Sequence, residues 1–592
     1  MLILLCILTL TSSLSLFCSK PAGQKSPSEK AKDHFSRELA TLQTLINNQF
    51  DRAVEERKEQ QIRTAFLASR KQFKKIEYYL EYFFPSTSVL INGAPIDEIE
   101  LGENRIQNPT GFQVMEELIY EEPTTGNRAE LRNEIKKMQL NLERVARYNE
   151  EYNITDAQLF DAARLEVFRI ISLGITGFDT PVALQSLPEA AAALEGIRDA
   201  FESYEDAKLA ELFNTAIKYV NKNNEFNTFD RLTFITEHLQ PISSRLNNLR
   251  KELKVGTVAS SSALHNEATS LFQENAFNLN KFVSNHTEYT SKEKVALGKQ
   301  LFNSTLLSNG GNRSCASCHR EEKAFTDGFV KAQGISADRA LLRNTPTLLY
   351  AGLQRGFFYD LKAGTLEDQA LDVVHNRDEM DGSLEEAAMR INKEKAYEAA
   401  FASAFDDLSG KATPWRIQHA LASYIRSLSP FSSRLDKYMR GDKKQLTDVE
   451  KSGFNLFMGK AKCGSCHFAP LFNGTQAPMF TKSEAEVLGV PARPDTVNAS
   501  IDNDLGRYAL NAYPQYKFAF KTTSLRNITK TAPYMHNGVY NTLEEVLDFY
   551  NRGGGAGIGI ELENQTLSSD PLNLTKKEMG DIISFLKTLD DE

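Results

Sequence analysis

Two short stretches in the C-terminal half of the chain decide how it folds: Cys315-Ala-Ser-Cys318-His319 and Cys463-Gly-Ser-Cys466-His467. Each contains two cysteines separated by two residues, with a histidine directly after the second cysteine. The chain has only 6 cysteines and 9 histidines in 592 residues, so two copies of this pattern are not a product of chance. The remaining cysteines, Cys6 and Cys18, both lie near the N-terminus.

The CxxCH pattern is typical of covalent haem attachment. The two thiols add across the vinyl groups of a haem, and the histidine supplies one axial nitrogen to the iron. A zinc site or a redox-active dithiol would also use CxxC pairs, but neither needs a histidine directly after both pairs. The sequence therefore predicts two c-type haems, bound through Cys315, Cys318 and His319 and through Cys463, Cys466 and His467.

The first 18 residues form an apolar run that is followed at once by a polar stretch. The run is short for a membrane-spanning helix, and its pattern favours a secretion signal at residues 1–18. Cys18 ends the run and resembles the acylated cysteine of bacterial lipoproteins, so a lipid anchor at Cys18 and a plain cleaved signal are both open. We expect a periplasmic location, with membrane tethering if Cys18 is acylated.

The composition indicates a globular protein, since 41% of the residues are hydrophobic and 25% are charged. The formal net charge of -9 argues against nucleic acid as a partner. A basic protein or a small neutral molecule is easier to reconcile with that charge.

Residues 30–253 read as a helical bundle, because apolar residues recur at helical spacing in two long segments. These residues are Ile62, Phe66, Phe73, Ile76 and Leu80 in the first segment, and Leu131, Ile135, Met138, Leu142 and Val145 in the second. Residues 254–270 are small and polar, which predicts a linker. Two haem domains follow, at 271–440 and 441–592. Strand-like alternation is scarce, so we expect an all-α chain with two cytochrome-c-like haem domains.

One segment of the N-terminal region, Gly111-Phe-Gln-Val-Met-Glu116, faintly resembles the signature of imelysin-like helical domains. That signature carries a metal-binding histidine where this chain has Gln113. Simple core packing beside a solvated acidic face is the alternative that we favour for this segment.

From about residue 294 onward the chain resembles the bacterial di-haem cytochrome c peroxidase and MauG family. The segments that carry the resemblance are Ala296-Leu-Gly-Lys-Gln-Leu-Phe302, Ala324-Phe-Thr-Asp-Gly328, Asn344-Thr-Pro-Thr347, Phe358-Tyr-Asp360, Leu366-Glu-Asp-Gln369-Ala370, Asp504-Leu-Gly-Arg507, Ser524-Leu-Arg-Asn527 and Thr531-Ala-Pro-Tyr-Met-His536. They occur in the family's order and cover roughly half the chain.

The resemblance implies that the first haem is the reaction site. Residues 320–344 contain no histidine, so the loop lacks the second axial ligand that blocks this iron in many family members. We therefore expect a five-coordinate iron at His319. Gln369 and Glu379 match the family's pair of residues that faces bound peroxide. Glu379 can transfer a proton, whereas Gln369 can only orient the substrate through hydrogen bonds.

A helix predicted to start at Thr542 carries the residue that we expect to be the sixth ligand of the second haem. Thr542-Leu-Glu-Glu545 is a capping box, and Leu543, Val546, Leu547 and Tyr550 then fall on one helix face. By resemblance, the position of Tyr550 carries methionine in the peroxidase branch and tyrosine in the MauG branch. A methionine raises the reduction potential of a haem, while a phenolate stabilises higher oxidation states. The alternative ligands are Met535 and Met479.

Two further assignments rest on the resemblance alone. Tyr359 occupies the position where the family usually has a tryptophan between the haems, and Trp415, the only tryptophan in the chain, is expected in the core. Asn344, Thr531 and Pro533 match the family's calcium site, which uses one side-chain oxygen and two backbone carbonyls.

The leading expectation is an oxidoreductase that reduces hydrogen peroxide at the first haem, with electrons relayed through the second haem. Its electron donor would be a small redox protein such as a cytochrome c or a cupredoxin. A MauG-like enzyme that oxidises a side chain of a protein substrate is the first alternative. A non-enzymatic electron carrier with both irons capped is the second.

Overall fold

The computed structural model describes residues 25–100, 105–120, 125–259, 261–283, 289–336 and 339–592. Helices dominate these residues, which confirms the expected all-α class in its coarse form. The predicted signal at residues 1–18, including Cys18, lies outside them. Among the helices of the described ranges, none is long and apolar enough to cross a membrane.

The described strands form two short antiparallel pairs. Strands β1 (Glu98–Glu100) and β2 (Arg105–Gln107) place Ile99 opposite Ile106. Strands β3 (Ala485–Val487) and β4 (Ala519–Lys521) place Glu486 opposite Phe520. The second pair lies in the region of the second CxxCH motif.

The N-terminal region consists of helices joined by short connections. Its helices are α1 (Pro27–Leu45), α2 (Asp51–Glu55), α3 (Glu59–Phe83), α4 (Pro85–Asn92), α5 (Phe112–Tyr120), α6 (Thr125–Glu151), α7 (Asp156–Arg169), α8 (Ser186–Ala200), α9 (Ala207–Lys222), α10 (Arg231–Thr233) and α11 (Gln240–Glu252). Helices α1, α7 and α10 continue into π-helical turns at Ile46–Phe50, Ile170–Gly174 and Phe234–Leu239. The helical spacing recognised in the sequence is confirmed, because all ten quoted apolar side chains of α3 and α6 are buried.

The region that carries the motifs is also helical. Its helices are α12 (Lys292–Asn303), α13 (Leu366–His375), α14 (Leu384–Ile391), α15 (Lys395–Phe405), α16 (Pro414–Arg426), α17 (Arg434–Met439), α18 (Asp448–Met458), α19 (Leu543–Asn551), α20 (Gly554–Gly557) and α21 (Lys576–Leu586). Helix α12 precedes the first motif and packs on α16, while α18 precedes the second motif and packs on α21.

The same glycine contact occurs at both of these helix pairs. A Cβ atom added to Gly298 of α12 would lie 2.0 Å from the carbonyl oxygen of Ala420. A Cβ atom added to Gly453 of α18 would lie 2.0 Å from the carbonyl oxygen of Asp581. Only glycine permits helices to approach this closely. The two motif regions therefore share the same close helix–helix contact at a glycine.

The buried apolar residues of the described ranges form two hydrophobic cores, and one of them combines regions that are far apart in the sequence. One core lies within the first motif region and includes Leu297, Phe302 and Tyr424. The other core joins the N-terminal helices to the second motif region, and it includes Phe73 of α3 and Phe585 of α21. The N-terminal region therefore packs on the second motif region as part of one apolar interior.

The segment predicted as a linker, 254–270, runs along this shared core. Ala263 and Leu264 are buried. The Ala263 amide donates a hydrogen bond to the Met479 carbonyl oxygen at 3.1 Å, and the Ser262 hydroxyl donates to the Pro478 carbonyl oxygen at 2.7 Å. Its C-terminal part is thus held against the second motif region.

Helix α5 carries the segment that resembles imelysin-like domains. Glu116 is buried rather than part of a solvated face, and only its neighbour Glu117 is exposed. One oxygen of Glu116 accepts hydrogen bonds from the Thr180 hydroxyl and the Ala183 amide, each at 2.8 Å. The prediction of a solvated acidic face is therefore wrong for Glu116, because this side chain points into the interior near the charge of Arg70.

Candidate functional site

The first motif forms a tight turn that presents its histidine. Cys315–Ser317 is a short 3-10 helix, and the His319 amide donates to the Cys315 carbonyl oxygen at 2.9 Å. Nδ1 of His319 lies 2.9 Å from the carbonyl oxygen of Phe325 and can donate its proton there. This bond fixes the imidazole and leaves Nε2 for a metal. Burial lowers the pKa of His319, which favours the neutral form that binds metals.

The second motif repeats this geometry. The turn is Cys463–Ser465, and the His467 amide donates to the Cys463 carbonyl oxygen at 2.9 Å. Nδ1 of His467 lies 3.2 Å from the carbonyl oxygen of Phe472. Burial lowers the pKa of His467 to about 4, so this imidazole is also neutral near pH 7. The two motifs are therefore equivalent in their internal structure.

Glu379 lies close to the first motif. Its carboxylate accepts a hydrogen bond from Nδ2 of Asn376 at 2.7 Å, and burial raises its pKa. Burial likewise raises the pKa of Cys315, and the charge of Glu379 adds to that shift. Gln369 is half-buried on α13, one turn after the N-cap residue Thr365. A half-buried carboxyl beside the motif has the chemistry of a general base.

Tyr550 lies close to the second motif. The capping box is confirmed: Thr542 caps α19, Leu543 and Leu547 are buried, and Tyr550 is half-buried on the same helix. Burial raises the pKa of Tyr550, and the thiols of Cys466 and Cys463 add to the shift because they are near its hydroxyl. Tyr550 therefore lies beside the two thiols of the second motif.

A hydrogen-bonded chain joins the two motif regions. The Tyr359 hydroxyl donates to Oδ1 of Asn344, and Nδ2 of Asn344 donates to the Pro533 carbonyl oxygen at 2.9 Å. The Asn344 amide donates to the His536 carbonyl oxygen at 3.0 Å. The hydroxyl of Thr531, the third residue matched to the calcium site, donates to the Ile528 carbonyl oxygen. The structure thus brings Asn344, Pro533 and Tyr359 into direct contact.

Charged and aromatic side chains strengthen this junction. Arg343 pairs with Asp504 at 2.6 Å across the two regions and with Asp360 at 2.7 Å within its own region. The rings of Phe520 and His536 stack with centroids 3.7 Å apart. The Arg343–Asp504 pair thus crosses the junction, and the Phe520–His536 stack lies within the second region beside it.

Comparison with known proteins identifies the family. A family model described as di-haem cytochrome c peroxidase matches residues 292–444. The cytochrome-c peroxidase IdrP2 of Denitromonas iodatirespirans is 33% identical over 319 residues, which are 51% of this chain and 82% of that protein. The methylamine utilization protein MauG of Methylorubrum extorquens is 34% identical over 305 residues, 51% of this chain and 79% of that protein. The chain belongs to the di-haem cytochrome c peroxidase and MauG family. A crystal structure of a MauG-like protein associated with microbial copper homeostasis is 32% identical, with a TM-score of 0.44, and covers 52% of this chain and 91% of that one.

Members of this family are enzymes that carry two c-type haems, and the two motifs here fit that cofactor. All four motif cysteines are free thiols rather than disulfide partners. Burial raises the pKa of each of these thiols. Each motif histidine has one nitrogen fixed by a backbone carbonyl and the other left for iron.

A buried cluster that the sequence analysis missed holds the start of α13, the helix that carries Gln369. Glu367, two residues before Gln369, accepts hydrogen bonds from Nδ1 of His419 at 2.9 Å and from Arg426 at 2.9 and 2.7 Å. Although burial favours the neutral acid, these bonds lower the pKa of Glu367 to about 2. The cluster fastens the start of α13, and thereby Gln369, to α16. No local sequence signal joins three residues so far apart.

The expectation that Trp415 belongs to the core is wrong. Its side chain is 43% exposed and packs on the ring of His419, with centroids 4.1 Å apart. It lies in the first turn of α16, one helical turn before His419 of the Glu367 cluster.

Arg313 is a second residue that the sequence analysis missed. Its guanidinium donates to the carbonyl oxygens of Gln333, Gly334 and Glu379 at 2.8 to 3.3 Å. It therefore ties the loop after the first motif to the segment that carries Glu379. Its position two residues before Cys315 gave no signal of this role.

Proposed function

We propose that this enzyme reduces hydrogen peroxide at the first haem, with Glu379 as the proton-transferring group and Gln369 as the orienting group. The observation that carries the proposal is the placement of the half-buried Glu379 carboxyl beside the first motif. A carboxylate held there can act as a base only if the iron on that side is open to substrate. The absence of a histidine from residues 320–344 agrees with an open iron.

The bound haem supplies the iron at which the O–O bond breaks, together with the electrons that this cleavage consumes. Glu379 would take a proton from one peroxide oxygen and return it to the other, which leaves as water. Gln369 has no titratable proton, so it holds the peroxide by hydrogen bonds. The net reaction takes up two protons and two electrons and gives two waters from each peroxide.

The second haem completes the proposal. Tyr550 and His467 would hold this haem, and a phenolate ligand would stabilise the ferric and higher states. Such a haem shares oxidising equivalents with the first haem better than it stores electrons in the ferrous state. The position of Tyr550 therefore also favours a second candidate function, the MauG-like oxidation of a protein side chain.

The proposal extends to the location of the enzyme, its electron donor and a calcium ion. Attachment of c-type haem and the apolar run at residues 1–18 support a periplasmic enzyme, with Cys18 as a lipid anchor if it is acylated. A small cytochrome c or cupredoxin would supply electrons. A calcium ion at Asn344, with the backbone oxygens of Thr531 and Pro533, would stabilise the junction of the two haem regions.

The experiment that tests the function compares Glu379→Gln with the native di-haem protein. Stopped-flow mixing with hydrogen peroxide measures the rate of spectral change at the first haem. Loss of the base should slow this reaction by about 10²- to 10⁴-fold. Asp378→Asn is the matched control, because Asp378 is the neighbouring carboxylate on the same loop but is exposed. If Glu379→Gln reacts as fast as the native protein, the assignment is wrong.

A further inference from the structure

The two motif loops have the same internal geometry but different surroundings. In the first loop Ser317 and the following Glu321 are exposed to solvent. In the second loop Gly464 is buried, and so are Phe468 and Ala469. Because the loops match in their backbone hydrogen bonds, the difference in exposure comes from what packs against them.

The N-terminal helical region covers the second loop. The Ser172 hydroxyl donates a hydrogen bond to the Ala469 carbonyl oxygen at 2.7 Å. The ring of Phe178 meets the ring of Phe468 edge-on, with centroids 5.5 Å apart. A Cβ atom added to Gly464 would lie 3.3 Å from the methyl group of Thr176. Residues 172–178 are therefore seated on the loop that carries Cys463 and Cys466, and we call them the cover segment.

The cover segment is anchored on both sides of the interface. Arg231 is fully buried and donates to the Ile175 carbonyl oxygen at 2.8 Å. Next to it, the Leu232 amide donates to Oδ1 of Asn455 in α18, whose Nδ2 donates to Asp230, each at 3.0 Å. Together with the shared hydrophobic core, these bonds make the contact a fixed one, unlike the polar interfaces between domains that move.

Covalent attachment gives this contact a consequence for electron transfer. Thioether bonds to Cys463 and Cys466 require the vinyl-bearing edge of the haem to lie against their loop. A protein donor that approached this edge would meet the cover segment instead, and electron transfer slows steeply with added distance. The contacts of the cover segment are made by serine, threonine and phenylalanine side chains, none of which exchanges electrons readily.

We propose that the N-terminal helical region insulates the second haem from redox proteins that approach over its motif loop. The second haem then exchanges electrons through its other sides, including the junction with the first haem, while small reagents still reach it. This inference rests on the proposed function only in treating the second haem as a redox partner of the first.

The test uses the full-length ferric di-haem protein and two one-electron reductants of different size. Anaerobic stopped-flow mixing with flavodoxin hydroquinone or with methyl viologen radical gives the rate at which each reduces the second haem. In the double variant Ser172→Ala/Phe178→Ala, the flavodoxin rate should rise about tenfold while the methyl viologen rate changes little. Phe213→Ala is the matched control, because it removes a buried ring of α9, which lies outside the cover segment.

Hydrogen exchange provides a second readout that does not depend on redox activity. Backbone amides at 463–469 should exchange more slowly than those at 315–321 in the native protein, and the double variant should reduce this difference. Equal exchange at the two native loops would overturn the proposal. So would a flavodoxin rate that stays unchanged in a double variant whose loop exchanges faster. Neither result depends on peroxide, so a failure of Glu379 as the base would leave the insulating role standing.

Discussion

The hydroxyl of Tyr359 donates a hydrogen bond to Oδ1 of Asn344, whose Nδ2 in turn donates to the Pro533 carbonyl oxygen at 2.9 Å. Tyr359 and Asn344 belong to the first haem region, and Pro533 belongs to the second. The contact joins Tyr359, which the resemblance predicts to lie between the haems, to the side chain proposed to bind calcium. A change in calcium binding should therefore be felt by the electron path.

Replacement of Asn344 by alanine should weaken calcium binding, because Asn344 supplies the only side-chain oxygen of the proposed site. Calorimetric titration of the calcium-stripped protein measures the affinity. Thr531→Val is the control, since Thr531 would contribute its backbone carbonyl and should retain native affinity. Native affinity in Asn344→Ala would show that the ion binds elsewhere or not at all.

Tyr550→Met should raise the reduction potential of the second haem and change its ferric spectrum, because a thioether favours the ferrous state more than a phenolate does. Spectroelectrochemical titration separates the two haems. Tyr540→Phe removes a neighbouring buried hydroxyl and should leave both potentials as they are. An unchanged spectrum in Tyr550→Met would instead favour Met535 or Met479 as the ligand.

The peroxide reaction should accelerate with rising pH. Burial raises the pKa of Glu379 above the usual glutamate value of about 4.3. Below its pKa the carboxyl is protonated and cannot act as a base, so the rate should rise as the pH passes upward through a midpoint above about 4.3. Stopped-flow rates across the pH range should show this rise in the native protein. A midpoint that persists in Glu379→Gln would belong to another group.

Local sequence patterns predicted the features that are encoded locally. The capping box at Thr542 marked the start of α19, and helical spacing marked the buried faces of α3 and α6. Each CxxCH turn was predicted from the five residues of its motif. These features depend on backbone hydrogen bonds between near neighbours, so a single sequence contains their full description.

Contacts between distant residues left no such pattern. Arg343 and Asp504 are each ordinary surface residue types, and only the fold makes them partners across the haem junction. The seating of Ser172 on Ala469 is equally invisible, because the N-terminal helices could have packed elsewhere with the same apolar spacing. Trp415 was misplaced for a related reason, since hydrophobicity alone cannot tell which face of an amphipathic helix a first-turn residue will cover.

The buried cluster of Glu367, His419 and Arg426 should make the first haem region sensitive to acid. The pKa of Glu367 in the folded protein is about 2, below its unfolded value of about 4.3, so its stabilisation is present above pH 4.3 and is lost as the pH falls toward 2.

Arg426→Met leaves a buried carboxylate short of its main partner and should cost about 3–5 kcal/mol near neutral pH. The variant should also lose less further stability than the native protein between about pH 7 and pH 3, because its Glu367 gives up less on protonation. Thermal unfolding at both pH values measures this, with Arg416→Met, whose pair with Asp407 lies nearer the surface, expected to destabilise the protein much less. Equal acid sensitivity of Arg426→Met and the native protein would contradict the assignment.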